Sequence, residues 1–454
     1  MASWKKRAAA SNSDQPPVKK SRPGLGKVDL LVPERPKLSG SILVCGQNDV
    51  GQLGLGEDVS EKTRPGVVSD LKNVVDVRAG GMHTLCLTAS GEVWSFGCND
   101  EGALGRDTSE EGSEYTPGKV NLPSPCVKIS AGDSHSACLL EDGQIYAWGS
   151  FRDSHGNMGL TLDGNMRIPV ALLKGLKGAD IASGADHLVI LSTSGQIYTV
   201  GCGEQGQLGR VSSRSASGES RRGKVELLKP EIVSTRKTKF IDAIWTTNFS
   251  TFYRDHGTKQ IYAFGLNNYN QLALPKRTRK MTLVFTPNLT EMRNVKTISG
   301  GQHHTLVVSE DSQCYAIGRK DYGRLGIGEV PEDVTELMLV KDLPAVTDVG
   351  CGDSQSFALT SEEKVFAWGM GNNHQLGLGS DQDVDKPTEL TGAQVKDKRV
   401  LRVDSGGQHS VFLVTEPGAQ KKGSDIPVEK RNGAGDGVEP GKKAPKAAKK
   451  ASKK

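Results

Sequence analysis

The chain has 454 residues, among them 55 Gly, and only 5% are Phe, Trp or Tyr, a balance that favours short strands and tight turns. Its formal charge of +5 hides two basic ends on an acidic body: residues 1–39 hold nine Lys/Arg against three Asp/Glu, and residues 420–454 hold eleven against four. No apolar run approaches the roughly 18 residues that span a bilayer, and the charged N-terminus lacks the apolar stretch of a secretory signal. The expectation is a cytosolic or nuclear chain with no membrane partner.

In chain order, the first element is a basic tail, residues 1–39, expected to be disordered. Within it Lys5, Lys6 and Arg7, then Lys19, Lys20 and Arg22 after a spacer, resemble a bipartite nuclear import signal, so a nuclear import receptor is an expected partner. From residue 40 one phrase recurs: an apolar strand, a small-Gly turn, a His, an apolar strand, a Gly turn, an aromatic strand, then Gly. Its clearest copy is AGGMHTLCLTASGEVWSFGCNDEGALG, from Ala79. Copies follow at Ala131, Ser183, Ser299 and Gly350, with a degenerate one at Thr246.

The Gly that ends each aromatic strand sets the register: Gly46, Gly97, Gly149, Gly201, Gly265, Gly318 and Gly369, spaced by 51, 52, 52, 64, 53 and 51 residues. In the unit after Gly46, apolar runs at Val74–Val77, Thr84–Thr88 and Val93–Phe96, with a weaker one near Thr116–Val120, predict four short strands. Four strands in about 50 residues is the size of a propeller blade. The repeats start in mid-phrase with ILVCGQNDVGQLGLG and finish on the missing first half, DSGGQHSVFLV. Two halves make one blade, so the prediction is an all-β, seven-bladed β-propeller over residues 40–416. Joining its two ends closes the ring and leaves no sheet edge free. A second disordered tail follows, residues 417–454, ending in the Lys-rich KKAPKAAKKASKK. Its composition cannot form a core. Lys442, Lys443, Lys449 and Lys450, with Lys5, Lys6, Arg7, Lys19 and Lys20, are expected to bind DNA phosphate without sequence preference.

Residues common to all blades are expected to be structural. The recurrent His83, His135, His187, His303 and His409 fall one per blade around a ring, which suits a structural hydrogen-bonding role better than a shared metal. Trp94, Trp148 and Trp368 are expected core aromatics, and the eight cysteines, with no C-x-x-C pair, are expected to be small buried thiols. There is no G-x-S-x-G elbow and no P-loop, and no spacing pairs carboxylates as acid and base. The sequence therefore predicts neither covalent chemistry nor a cofactor.

Function is expected where a blade departs from the phrase. After Gly149 the usual G-x-N-x-x-G-x-L-G becomes GSFRDSHGNMGL, which adds Ser150, Phe151, Arg152 and Asp153 as a protruding probe. Asp133, Asp186 and Asp353 stand in turns beside the recurrent histidines, and Asp49 follows the first aromatic strand; all should share one rim. The swollen fourth interval, RVSSRSASGESRRGKVELLK from Arg210, is expected to be a long exposed loop whose Arg214, Arg221 and Arg222 dock on an acidic surface or on phosphate.

WD repeats run shorter, near 40–45 residues, and Kelch repeats lack the W-G-x-N-x-x-G-x-L-G phrase seen here as WGMGNNHQLGLG. That phrase resembles the regulator of chromosome condensation family, over about residues 40–415. GQNDVGQLGLGE, GSFRDSHG, GCGEQGQLGRV, GGQHHT and YGRLGIGE are similar to the family's chromosomal exchange factor for the small GTPase Ran. The resemblance implies a β-wedge at Ser150–Gly156 that presses on the GTPase near its phosphate site. It implies GTPase contacts at Asp49, Asp133, Arg152, Asp186, Arg210 and the pair His303–His304, of which Asp133, Asp186, His303 and His304 would tune the exchange intermediate. It further implies that the long loop grips the histone octamer's acidic patch, and it places the protein in the nucleus on chromatin. The alternative is a non-catalytic chromatin scaffold or adaptor propeller. A ubiquitin-ligase reading would need a catalytic domain that the sequence does not hold, and a light sensor would need more than five Trp.

Overall fold

In the computed structural model, residues 29–216, 221–235 and 238–417 are described. The tail cations Lys5, Lys6, Arg7, Lys19, Lys20, Lys442, Lys443, Lys449 and Lys450 lie outside the described residues.

Seven antiparallel four-stranded sheets succeed one another along the chain. Blade 1 holds Val74–Ala79, His83–Thr88, Val93–Gly97 and Gly118–Val120, close to the predicted runs. Blades 2 to 6 repeat that order. Blade 7 is composite: Arg399–Ser405 and His409–Thr415 are continued by Ser41–Gln47 and Glu61–Val68. There the N-terminal strand pairs with the C-terminal one, Ile42 opposite Leu413 and Gly46 opposite His409. The ladder that closes the ring thus joins residues from opposite ends of the sequence.

The first strand of each blade lines a central channel, a cavity of about 480 Å³. Charged side chains there pair across blades: Arg402 lies 2.7 Å from Asp76 and 3.7 Å from Asp348, and Arg78 lies 4.0 Å from Asp404. Apolar residues of facing sheets fill the layers between blades, each large side chain contributing roughly 1.5–3 kcal/mol. Trp148 and Trp368 are fully buried there, whereas Trp94 is half-buried against another core cluster. Seven of the eight cysteines are buried thiols, and Cys98 is partly exposed.

The recurrent phrase now has physical causes. The Gly that ends the third strand has φ of 110° at Gly46, and a Cβ there would stand 2.2 Å from the Gln408 carbonyl. The last Gly of the G-x-L-G phrase lies flat on an aromatic ring of the following blade. Beside Gly105 and Gly326, an added Cβ would meet the Trp148 and Trp368 indoles at 2.7 and 2.6 Å. Each recurrent imidazole reaches a hydroxyl of the next blade: His83 to Ser136 at 2.8 Å, His135 to Ser183 at 3.1 Å, His187 to Thr251 at 3.0 Å, His304 to Ser356 at 2.9 Å and His409 to Thr84 at 3.0 Å. Blade 6 has Gln355 in that slot, donating to Ser405 Oγ at 2.8 Å. Burial lowers these imidazoles, to about 4 for His83 and about 3 for His187, so they are neutral latches. The ring member in blade 5 is therefore His304, which pairs with Gly318 as His83 pairs with Gly97, and not His303 as the sequence suggested.

Two further expectations need correction. The swollen interval carries two short helices, Ser213–Ala216 and Arg221–Leu228, instead of an open loop. Val211, Ala216, Leu227 and Leu228 are buried in one cluster with Phe151, Met158 and Leu160. Residues 29–39, expected within the free tail, run along the propeller instead. Leu30 donates its N–H to the Thr193 carbonyl at 2.7 Å, Arg35 reaches the Cys126 carbonyl at 3.1 Å, and Leu30 and Val32 pack against core clusters.

Candidate functional site

In a four-stranded antiparallel blade, the turn between strands one and two and the loop between strands three and four leave by the same end. Asp133, Asp186, His303 and Asp353 lie in the first kind of turn; Asp49 and the expanded segment after Gly149 lie in the second kind of loop. One face of the propeller therefore carries them all. Backbone hydrogen bonds tie these turns into a collar: Gly407 N–H to Gly81 O, Gly81 N–H to Gly132 O, Asp133 N–H to Ala185 O, Ala185 N–H to Asn248 O, Asn248 N–H to Gly301 O and Gln302 N–H to Asp353 O. Gln355 completes it by donating to the Gly406 carbonyl at 2.8 Å. A collar held by seven sheets is a stiff base for what projects from it.

The expanded segment is a hairpin, Phe151–Asp153 paired with Gly156–Gly159. Phe151, expected as a probe, is instead its anchor: it is fully buried, 4.6 Å from the His135 ring, because this apolar side chain at the hairpin root packs with Met158 and Leu160 into the gap between blades 2 and 3. Ser150 is also buried and donates to Asn157 Oδ1 at 2.8 Å. The exposed part is Arg152, the Ser154–His155 tip and Asn157. Asp153 is half-buried and accepts the His155 N–H at 2.8 Å, shaping the tip turn.

Both flanks of the hairpin are braced by carboxylates. On one side Glu101 holds Asn157, Asn165 at 2.6 Å and Arg152 at 3.4 Å. On the other, Asp186 Oδ1 accepts the Arg152 backbone N–H at 2.8 Å, and Glu204 accepts Ser154 N–H at 3.0 Å and its hydroxyl at 2.6 Å. Glu101 and Glu204 escape a reading that looks only at the expanded segment. Their signal was available: each lies three or four residues beyond the third-strand Gly of an adjoining blade. Among the described residues one trio, Asp153, His155 and Glu204, brings potential metal-ligand atoms within 4.8 Å of one another; its carboxylates are already taken by the turn's own N–H and O–H groups.

Beside the hairpin lies a crescent of acid. Asp133 is open to the channel mouth, but the surrounding protein, then the charges of Asp353 and Asp186, raise its carboxyl above the ordinary range against the pull of Arg152. Burial raises Asp186 to about 6, opposed by the Arg152 N–H and charge. Asp353 is raised too, chiefly by burial, while Asn248 holds its Oδ1 at 2.7 Å. Three carboxyls that resist ionisation so close together form a surface that a partner's cations would relieve. Asp49 is exposed on the same face, its carbonyl accepting the Tyr115 hydroxyl at 2.7 Å.

Two other residues fall out of the contact surface. His304 is fully buried in the inter-blade latch, so His303, half-buried on the face, is the member of the pair that a partner can meet. Arg210 has a side chain only 6% exposed. Its guanidinium donates to the Thr199 and Lys229 carbonyls, both at 3.1 Å, and so ties the inserted helices to the third strand of blade 3. Arg106 does the same in blade 1, reaching the Ser95 and Ser113 carbonyls. Arg214 lies exposed in the first inserted helix. Arg221 and Arg222 open the second, and their side chains are outside the described residues.

Fold and site together define a rigid propeller that presents a braced hairpin and an acid crescent to a partner. Residues 41–412 match the RCC1-like domain, and the chain belongs to that family. It is 50% identical over 421 residues to the regulator of chromosome condensation of Drosophila melanogaster, covering 92% of this chain and 76% of the relative. It is 28% identical to the guanine nucleotide exchange factor SRM1 of Saccharomyces cerevisiae, over 85% of this chain and 90% of the other. Among solved structures it is similar to Prp20p from Saccharomyces cerevisiae, described with its binding to Gsp1p and histones: TM-score 0.76, 27% identity, covering 87% of this chain and 95% of that one. It is also similar to yeast RCC1 (Prp20) with Kap60 bound, with TM-score 0.77, 26% identity and coverage of 91% and 98%.

Proposed function

We propose that this protein is the guanine-nucleotide exchange factor for the small GTPase Ran, held on chromatin in the nucleus, and that it works without covalent chemistry. The observation that carries the reading is the hairpin at Phe151–Gly159, anchored by a buried Phe and braced on both flanks. A passive adaptor has no need of a projecting element held so firmly.

A GTPase releases nucleotide faster only if its partner prefers the emptied or distorted state. Linkage makes the effect reciprocal, since nucleotide then weakens the grip of the partner equally. Arg152 and the tip residues enter the phosphate-binding region and displace it. Asp133, Asp186 and Asp49 neutralise the cations left when phosphate departs, and His303 contacts the GTPase as a neutral group. The crescent is least charged when alone and gains most when a basic surface arrives, so its affinity falls on the emptied state.

The other partners follow from the ends and the insertion. Histones are bound, with Arg214, Arg221 and Arg222 reaching the octamer's acidic patch. Lys5, Lys6, Arg7, Lys19 and Lys20 engage an import receptor, and these residues with Lys442, Lys443, Lys449 and Lys450 contact DNA phosphate. The direct test is release of a fluorescent guanine nucleotide from Ran and from a panel of other small GTPases. Acceleration confined to Ran supports the reading; no acceleration, or equal acceleration throughout the panel, overturns it.

A further inference from the structure

In four blades a buried Gln followed by Leu stands at the base of the loop after the third strand. Its Oε1 accepts the N–H two residues earlier: Gln52 from Val50 at 3.0 Å, Gln207 from Gln205 at 2.9 Å, Gln271 from Tyr269 at 2.8 Å and Gln375 from Asn373 at 2.8 Å. Blade 5 puts Arg324 in this slot, 1% exposed. A guanidinium cannot accept a hydrogen bond, so the loop turns differently. Arg324 Nε donates to the Asp321 carbonyl at 2.9 Å, and its Nη1 is buried with no partner among the described residues. The adjoining Tyr322 takes φ 63°, a left-handed conformation costly for a bulky residue. It is 43% exposed and lies 5.2 Å from the Arg324 guanidinium.

The same loop replaces two more amides by cations. Arg319 and Lys320 stand where blade 7 has Gln47 and Asn48. Lys320 is spent on the Val330 and Pro331 carbonyls. Arg319 lies over the Tyr269 ring at 5.4 Å, and Tyr269 meets the His303 ring at 5.1 Å. The local carboxylate, Asp321, is held by Arg319 at 2.6 Å, and among the described residues no carboxylate forms an ion pair with Arg324, although the charges of Asp321 and Asp353 both reach it. A buried cation with one N–H group left without an acceptor, under a strained aromatic cap, is expensive to keep for packing alone.

We propose that Arg319, Tyr269, His303 and Tyr322, with Arg324 behind them as a positioning residue, form a pocket on the hairpin face for an acidic side chain of the GTPase. It is opposite in sign to the acid crescent and so fixes the orientation of the docked partner. This rests on the exchange reading above. The shared chemistry is an anion, and the source argued for is a protein carboxylate; a nucleotide phosphate is the other source.

Arg324→Gln restores the side chain that four other blades use, and Arg319→Gln restores that of blade 7, so both variants keep the fold. Affinity for nucleotide-free Ran is measured at two or more salt concentrations, together with thermal unfolding. Each variant is expected to lose roughly tenfold in affinity, as for one charge-assisted contact, with a flatter salt dependence and an unchanged or higher melting point. Arg324→Lys, which keeps the charge, is expected to regain part of the affinity. Affinity within twofold of the parent for both Gln variants overturns the pocket, while a slow Asp186→Ala variant in the same series leaves the exchange reading standing. An effect seen only when nucleotide is present assigns the site to phosphate and also overturns the carboxylate. A lowered melting point with unaltered affinity makes Arg324 a packing residue.

Discussion

Replacing Asp186 by Ala separates positioning of the hairpin from stability of the blade. Asp186 Oδ1 receives the Arg152 N–H at 2.8 Å, one of the ties that fix the hairpin relative to blade 3. A hydrogen bond to a charged group contributes roughly 1.5–3 kcal/mol, so its loss corresponds to roughly ten- to hundredfold in the rate that depends on hairpin position. The carboxyl is raised to about 6 by burial. At neutral pH its ionised form is therefore held at some cost to the folded state, and removing it does not lower stability. The expected result is a ten- to hundredfold fall in kcat/KM for nucleotide release from Ran, with a melting point within about 2 °C of the parent. Asp186→Asn keeps an oxygen acceptor and is expected to lie much closer to the parent. Parental exchange by Asp186→Ala, or a fall in melting point beyond about 5 °C, would refute the reasoning, since Asp186 would then be either idle or a turn residue.

Phe151→Ala empties the hairpin root; truncation of a buried Phe costs about 3–5 kcal/mol, and exchange is expected to collapse further than for Asp186→Ala, with protease cleavage appearing near residues 151–159. His187→Gln tests the neutral latch, because Gln355 fills the same slot in blade 6. The folded pKa of His187, about 3, lies below its ordinary 6.5; its contribution is therefore complete above that ordinary value and is lost as pH falls toward the folded value. Gln does not titrate, so from pH 6.5 to 5 the variant should gain about 2 kcal/mol relative to the parent, seen as converging denaturation midpoints; a constant gap would show that His187 is charged in the fold. Removing residues 420–454 takes away eleven Lys/Arg, and the plot of DNA affinity against salt should flatten; an unchanged slope excludes the tail from phosphate contact.

Much of this protein was legible without coordinates because its information is periodic. Gly at each third-strand end, an aromatic in most of those strands and a His after the first turn in five blades mark requirements that the blades share, so they recur in the sequence at blade spacing. Count, register and the composite seventh blade all follow from that recurrence. Orientation of single side chains does not, because it depends on what the neighbouring blade supplies. Phe151 turned inward because blades 2 and 3 leave an apolar gap beneath it. Arg210 turned to the Thr199 and Lys229 carbonyls because the inserted chain returns there, and of two adjacent histidines only the one opposite Gly318 could reach Ser356. Glu101 and Glu204 became braces through contacts some 50 residues away in sequence. Local pattern determined which residues form the ring; long-range packing between blades decided which of them the ring leaves facing a partner.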